Sequence, residues 1–241
     1  MKQFFTFLLN LVLPPRCPYC GQIVERQSTL CPNCFEKIKF ITAPYCKICG
    51  RPFESEKQTK NHFICPHCAS HKSIIRMNRS AVLYDDFSKK AILSFKFSDH
   101  LQTAKLFAKW LNLAGKDIFD LGADLLIPVP LSFRRLIYRR YNQSALLAHE
   151  LSKLTHIPVD VCSLKKIKNT KPQSLLAEKA RLKNVKNAFE LKKPLNIKGK
   201  RIVLIDDVMT TGATLSECAK VLLKNGAKSV DTLTIARVIK E

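Results

Sequence analysis

Acidic side chains are scarce in this sequence: 19 Asp and Glu stand against 41 Lys and Arg, a formal net charge of +22. So one-sided a surface favours polyanions, nucleic acid first and anionic membrane second. Long apolar runs are missing too. The stretch Phe4 to Leu13 is only about ten residues, includes Asn10, and is too short to span a bilayer. No small-residue cleavage site follows it, and the chain continues into Pro14-Pro15-Arg16. It is expected as a short helix packed on the protein or touching the membrane surface; packing is favoured, since a single Lys supports membrane attraction. Without an exporting signal a disulfide scaffold is disfavoured, and the expected compartment is the cytoplasm, where thiols stay reduced. What remains is globular: 46% apolar residues in 241, enough for one α/β domain and a small module.

Of ten cysteines, eight lie in the first 68 residues, as four Cys-x-x-Cys pairs. Thiolates at that spacing suit tetrahedral Zn²⁺, and Gly21 and Gly50 relieve the backbone after two of the knuckles. Pairing by order puts Cys17, Cys20, Cys31 and Cys34 on one ion and Cys46, Cys49, Cys65 and Cys68 on a second. The inner gap of the second set has the usual length and that of the first is slightly short. Interleaved pairing stays open. His62, His67 and His71 are expected as exposed histidines, and four repeats argue against a redox pair. The domain expectation is therefore an N-terminal helix and double zinc ribbon over residues 1–75, then an α/β domain over 76–241. The ribbon either grips nucleic acid or a partner, or serves as a folding device.

The α/β domain is organised around Val203-Leu204-Ile205-Asp206-Asp207-Val208-Met209-Thr210-Thr211-Gly212-Ala213-Thr214-Leu215. Ile202 to Ile205 is an apolar run that reads as a strand buried on both faces. Leu215 to Asn225 has helical spacing and stops at Gly226, and Val230 to Val238 reads as another strand, completing a βαβ unit. Asp206 and Asp207 fall at the strand end, where ligands of open α/β sheets bind. They can accept hydrogen bonds from vicinal sugar hydroxyls or hold hydrated Mg²⁺. Thr210, Thr211, Gly212, Ala213 and Thr214 offer backbone N–H groups and hydroxyls to a phosphate at a helix N-terminus. A sugar-binding end beside a phosphate-binding end describes a ribose 5-phosphate site.

The rest of the domain reads in order. Ser80 to Tyr84 is a first strand, Ser88 caps a helix through Phe95, and Gln102 to Leu113 is another helix with Trp110 in the core. Lys96 reads as a solvated side chain. Leu125 to Pro130 is a buried strand whose prolines stiffen the loop after it. That loop carries Arg134, Arg135, Arg139 and Arg140, and a helix opens at Tyr141 to Ser144, together a natural pyrophosphate site. From Leu164 to Arg201 there are thirteen Lys and Arg against two Glu. The segment around Lys171, Gln173 and Arg181 is expected as a lid over a reactive sugar phosphate or a strip for nucleic acid. Cys162 and Cys218 are expected as core thiols.

The Asp206 stretch resembles the phosphoribosyl pyrophosphate loop of type I phosphoribosyltransferases. The resemblance implies that the two aspartates face the ribose and that Thr210 to Thr214 hold its 5-phosphate. The four Cys-x-x-Cys pairs, Ile127-Pro128-Val129-Pro130, Arg140-Tyr141-Asn142-Gln143, Thr170-Lys171-Pro172-Gln173 and the acidic phosphate loop occur in an order that resembles the ComF family. That resemblance implies a zinc ribbon on a type I phosphoribosyltransferase fold. It also implies a role in natural transformation: handling single-stranded DNA that has crossed the inner membrane, with a ComFA-type helicase as partner. One departure stands out. The family reads Arg-Gly-Phe-Asn-Gln where this chain has Arg139-Arg140-Tyr141-Asn142-Gln143, which implies either added anion binding or a looser loop. The other reading is an active phosphoribosyltransferase. There Mg²⁺ neutralises the pyrophosphate leaving group, Asp206 and Asp207 stabilise a cationic ribose, and a nucleobase attacks. No base-recognition segment is visible after Val238, which weakens this reading. A zinc-ribbon adaptor with a dead site is disfavoured by the intact acidic and Thr/Gly elements.

Overall fold

Four apolar segments build a parallel sheet: β1 (Asn78–Leu83), β2 (Leu125–Pro128), β5 (Arg201–Met209) and β6 (Ser229–Arg237), in the order β1-β6-β5-β2. The structure is a computed structural model and describes residues 14–54, 63–97, 101–168, 184–192 and 197–239. The expected N-terminal helix, His62, and Lys171, Gln173 and Arg181 with their lid lie outside the described residues, as does the Lys96 side chain. No described helix is long and apolar enough to cross a membrane.

Strand alternation divides the core between the two faces of the sheet. Val203, Ile205, Leu233 and Ile235 join one cluster with helices α1 (Asp86–Phe97), α2 (Leu101–Ala114) and α5 (Gln143–Thr155). Ile202, Leu204 and Val230 join the other, under α6 (Ala213–Lys224). Two smaller helices intervene, α3 (Lys116–Asp120) and α4 (Phe133–Arg139). Trp110 is buried in the first cluster, as expected. The start of α1 corrects its sequence reading. Asp85, not Ser88, is the cap: its Oδ1 accepts from the Ser88 backbone N–H at 2.8 Å, and Ser88 Oγ accepts from the Asp85 N–H at 2.9 Å, a reciprocal capping box.

Three further differences concern the second half. The arginine loop is largely helical, since α4 occupies it. Within the lysine-rich stretch, β3 (Leu164–Lys166) and β4 (Phe189–Leu191) form an antiparallel pair that buries Leu164 and Phe189 in the second cluster. Cys218 is fully buried, but Cys162 is exposed on a turn and is not a core thiol.

The ribbon segment is fastened to the edge and face of the sheet. Lys39 to Ile41 runs antiparallel to β1, with the Ile41 N–H donating to the Ala81 carbonyl at 2.9 Å and the Leu83 N–H to the Lys39 carbonyl at 2.8 Å. Tyr19 stacks on Phe87 at 4.9 Å, and Phe40 meets Trp110 edge-on. The third knuckle lies so close to β1 that a Cβ at Gly50 would collide with the Asn78 carbonyl. Arg79, 4% exposed, joins the parts. Its guanidinium lies 2.6 Å from Asp117 on α3, 3.0 Å from the Lys47 carbonyl, and over the Tyr45 ring.

Candidate functional site

Cys17/Cys20 and Cys46/Cys49 sit on tight turns, Cys31/Cys34 and Cys65/Cys68 at the starts of the short helices Pro32–Phe35 and Pro66–Ser70, and the two sets cluster in chain order. Cys17, Cys20, Cys31 and Cys34 form one group and Cys46, Cys49, Cys65 and Cys68 the other, with sulfurs within 4.8 Å of one another. Tetrahedral Zn–S bonds of about 2.3 Å require S···S near 3.8 Å; Cys20–Cys31 and Cys49–Cys65 are both 3.6 Å apart. Four sulfurs and no open position suit a structural zinc ion in each group. The neighbouring Cys49 side chain and the backbone N–H groups of Cys65 and Cys49, 3.4 and 3.5 Å from its sulfur, pull the Cys46 thiol below its ordinary pKa despite burial. His67 and His71 are exposed and stack on each other.

The two aspartates lie half-buried within β5, not at its end as the sequence suggested: β2 stops pairing at Ile205, but β5 runs on beside β6 to Met209. Asp206 Oδ1 accepts from Ser144 Oγ at 3.0 Å and from the Asp207 N–H at 2.9 Å, which fixes its carboxylate. Ser144 is itself set by the start of α5. Asn142 caps that helix by accepting from the Ser144 N–H at 3.0 Å and donates to the Val129 carbonyl at 3.1 Å. Tyr141 donates to the Phe95 carbonyl at 2.7 Å, tying the turn to α1. Buried Gln143 accepts from Arg139 at 3.1 Å. Thus Tyr141 to Ser144 is the brace that couples the β2 loop to Asp206.

The loop from Thr210 to Thr214 closes onto the N-terminus of α6. Gly212 sits at the cap with φ +74°, a left-handed conformation that side chains disfavour. The Ala213 N–H approaches Thr211 Oγ1 at 3.4 Å. A cleft of about 490 Å³ runs between this loop and the second cysteine cluster; Cys49, Cys65 and His67 line one wall, Thr210, Gly212 and Lys220 the other. Arg237, at the end of β6, reaches across its floor to the Cys49 carbonyl.

The four arginines of α4 and its cap differ in exposure. Arg135 and Arg139 are half-buried on the inward side of α4, while Arg134 and Arg140 are exposed. Sequence reasoning missed Lys166 on β3. Its ammonium lies 5.5 Å from the Phe189 ring. Burial and neighbouring Arg135 push its pKa down to about 8, against the attraction of Asp206. Lys166, Arg135 and Asp206 therefore share one electrostatic neighbourhood. Ser144 was legible only as part of a helix start, and Lys166 had no distinguishing signal among so many lysines.

Two domain families match the chain: a double zinc ribbon domain over residues 8–69 and a phosphoribosyl transferase domain over residues 142–241. Competence protein F of Haemophilus influenzae is 32% identical over 98% of this chain and 100% of its own length. Competence protein ComFC of Bacillus subtilis is 31% identical over 89% of this chain and 87% of its own. The DNA utilization protein YhgH of Escherichia coli K12 is 30% identical over 92% and 90%. With full-length similarity, a cysteine-rich double ribbon and a parallel phosphoribosyltransferase-type sheet, the chain belongs to the ComF family of competence and DNA-utilization proteins.

Proposed function

We propose that this protein handles single-stranded DNA during natural transformation and carries a ribose-phosphate site responsive to phosphoribosyl pyrophosphate and Mg²⁺. The observation that carries the site is Asp206, pinned by Ser144 where β5 outruns its neighbour β2 and leads into the Thr/Gly loop. In this reading Asp206 and Asp207 receive the ribose hydroxyls, Thr210 to Thr214 the 5-phosphate, and Arg135 and Arg139 the pyrophosphate. Mg²⁺, when bound, neutralises the pyrophosphate; the aspartates are the acidic groups that would hold its waters. The DNA part rests on the relatives and on the net charge of +22. Further elements of the same reading are a functional division near residue 76, a cytoplasmic location, a ComFA-type helicase partner and contact with the inner-membrane surface. Lys171, Gln173 and Arg181 would meet the ligand or the DNA from the segment between β3 and β4.

The test is binding of a labelled single-stranded oligonucleotide by zinc-loaded protein, with and without phosphoribosyl pyrophosphate and Mg²⁺. Binding is expected to respond to the sugar phosphate, and an Asp206→Ala/Asp207→Ala variant to lose that response. No DNA binding at moderate salt, with sugar-phosphate affinity retained, overturns the DNA reading. A second reading, an active phosphoribosyltransferase, is favoured by the fixed Asp206 carboxylate beside Lys166. Pyrophosphate release in a nucleobase screen supports it.

A further inference from the structure

The outward side of α4 is unusual in composition. Phe133 is 73% exposed, Ile137 64% and Tyr138 78%, and α4 has no buried residue. Single exposed apolar side chains are ordinary, but three neighbours on a two-turn helix are not. Phe133 and Ile137 are one helical turn apart, as are Arg134 and Tyr138, so the four form adjoining strips on one side. Exposed Arg140 ends the helix beyond them. Arg135 and Arg139 turn inward, so this helix separates an aromatic and cationic outer surface from the cluster around Asp206.

We infer that the outer face of α4 is a stacking platform for single-stranded DNA. This rests on the DNA-handling reading above and assigns it a surface. Aromatic rings stack on any base, and guanidinium groups pair with the phosphates between bases, which together give sequence-tolerant single-strand binding. Phe133 and Tyr138 lie about 7.5 Å apart along the helix axis, roughly two base-stacking steps. An anionic membrane is the weaker fit, because membrane binding scales with buried apolar area and this seven-residue helix, three of whose residues are Arg, offers little of it. Since α4 carries both surfaces, a strand on its outside lies one helix width, roughly 10 Å, from the inward arginines.

The experiment uses the full chain, zinc-loaded, with fluorescence anisotropy of labelled oligothymidylate and of an abasic oligomer of equal length. Phe133→Ala/Tyr138→Ala is expected to weaken oligothymidylate binding about tenfold or more and to leave the abasic oligomer unaffected. Arg134→Gln is expected to weaken both and to lower the salt slope by about 0.7. Zinc content and phosphoribosyl pyrophosphate affinity of the aromatic variant should match the parent, which shows that it is folded. Parental oligothymidylate affinity in that variant overturns the platform while leaving the DNA reading intact. No binding by the parent removes the DNA reading and the platform with it. If the aromatic variant instead loses only binding to phosphatidylglycerol vesicles, or only self-association in sedimentation, the platform is also overturned and its occupant is a membrane or a second copy.

Discussion

Arg140 shows what a single residue costs here. The ComF motif has glycine at this position, and the backbone adopts φ +64°, the left-handed region that glycine occupies freely. A side chain there costs about 1–2 kcal/mol. Arg140→Gly is therefore expected to raise the unfolding free energy by about 0.5–1 kcal/mol, less than the full strain because glycine frees the unfolded chain. Urea titration measures it, with Arg140→Ala as control: alanine keeps the Cβ and should gain nothing, so an equal gain from alanine would place the cost in charge repulsion. Lys166 is a second costly residue. Its folded pKa of about 8 lies below its ordinary value of 10.5, so the buried ammonium destabilises the fold fully below pH 8. That cost fades as pH rises from about 8 towards 10.5, because the folded state releases its proton first. Lys166→Met should be more stable than the parent at pH 7, with the margin shrinking across that window. An anion beside Lys166 would favour the charged amine. Phosphoribosyl pyrophosphate affinity should thus fall as pH rises through 8, and the Met variant should lose that dependence; a pH-independent parent would remove Lys166 from the site.

At the scale of elements, the brace from Tyr141 to Ser144 makes the sharpest prediction. Asn142 both caps α5 and holds the Val129 carbonyl. Asn142→Ala should cost about 1–2 kcal/mol and also weaken sugar-phosphate binding, because Ser144 then loses its fixed approach to Asp206. Asn142→Asp keeps the cap and loses the donor, so it should fall between; a variant destabilised but unchanged in ligand affinity would show that the brace does not serve the site. This element was half legible. The β5–α6–β6 unit could be read to within a few residues because its strands are apolar and its helix stops just before Gly226. The four cysteine pairs were legible as metal knuckles from their spacing, but which pairs share an ion was left open until the sulfurs were seen to cluster in chain order. By contrast, β3 and β4 have three residues each, and their lysines mask the buried Leu164 and Phe189. Only pairing across the chain makes them strands, and local sequence does not carry that information. Helix α4 was hidden differently: it buries nothing, so it lacks the apolar face by which helices are recognised.

At the scale of the molecule, the two ribbons have different consequences although both are cysteine tetrads. The first supports Tyr19 against Phe87, and the strand-like segment beyond it extends the sheet past β1. The second walls the cleft beside Thr210 and Gly212, and Arg237 ties it to the end of β6. A tetrad without metal leaves thiols buried with no ion to organise them, and the ribbon loses most of its folding energy. Cys31→Ser and Cys65→Ser should therefore each release one zinc per chain and lower the melting temperature, since both ribbons are docked on the same sheet. Their ligand effects should separate. Losing the second ribbon opens the cleft wall and should reduce phosphoribosyl pyrophosphate affinity, whereas losing the first should leave it near the parental value. Calorimetric titration of each variant at a temperature well below its melting transition distinguishes the cases. Equal loss in both would mean that the ribbons act only through global stability, and parental affinity in Cys65→Ser would mean that the cleft wall takes no part in holding the ligand.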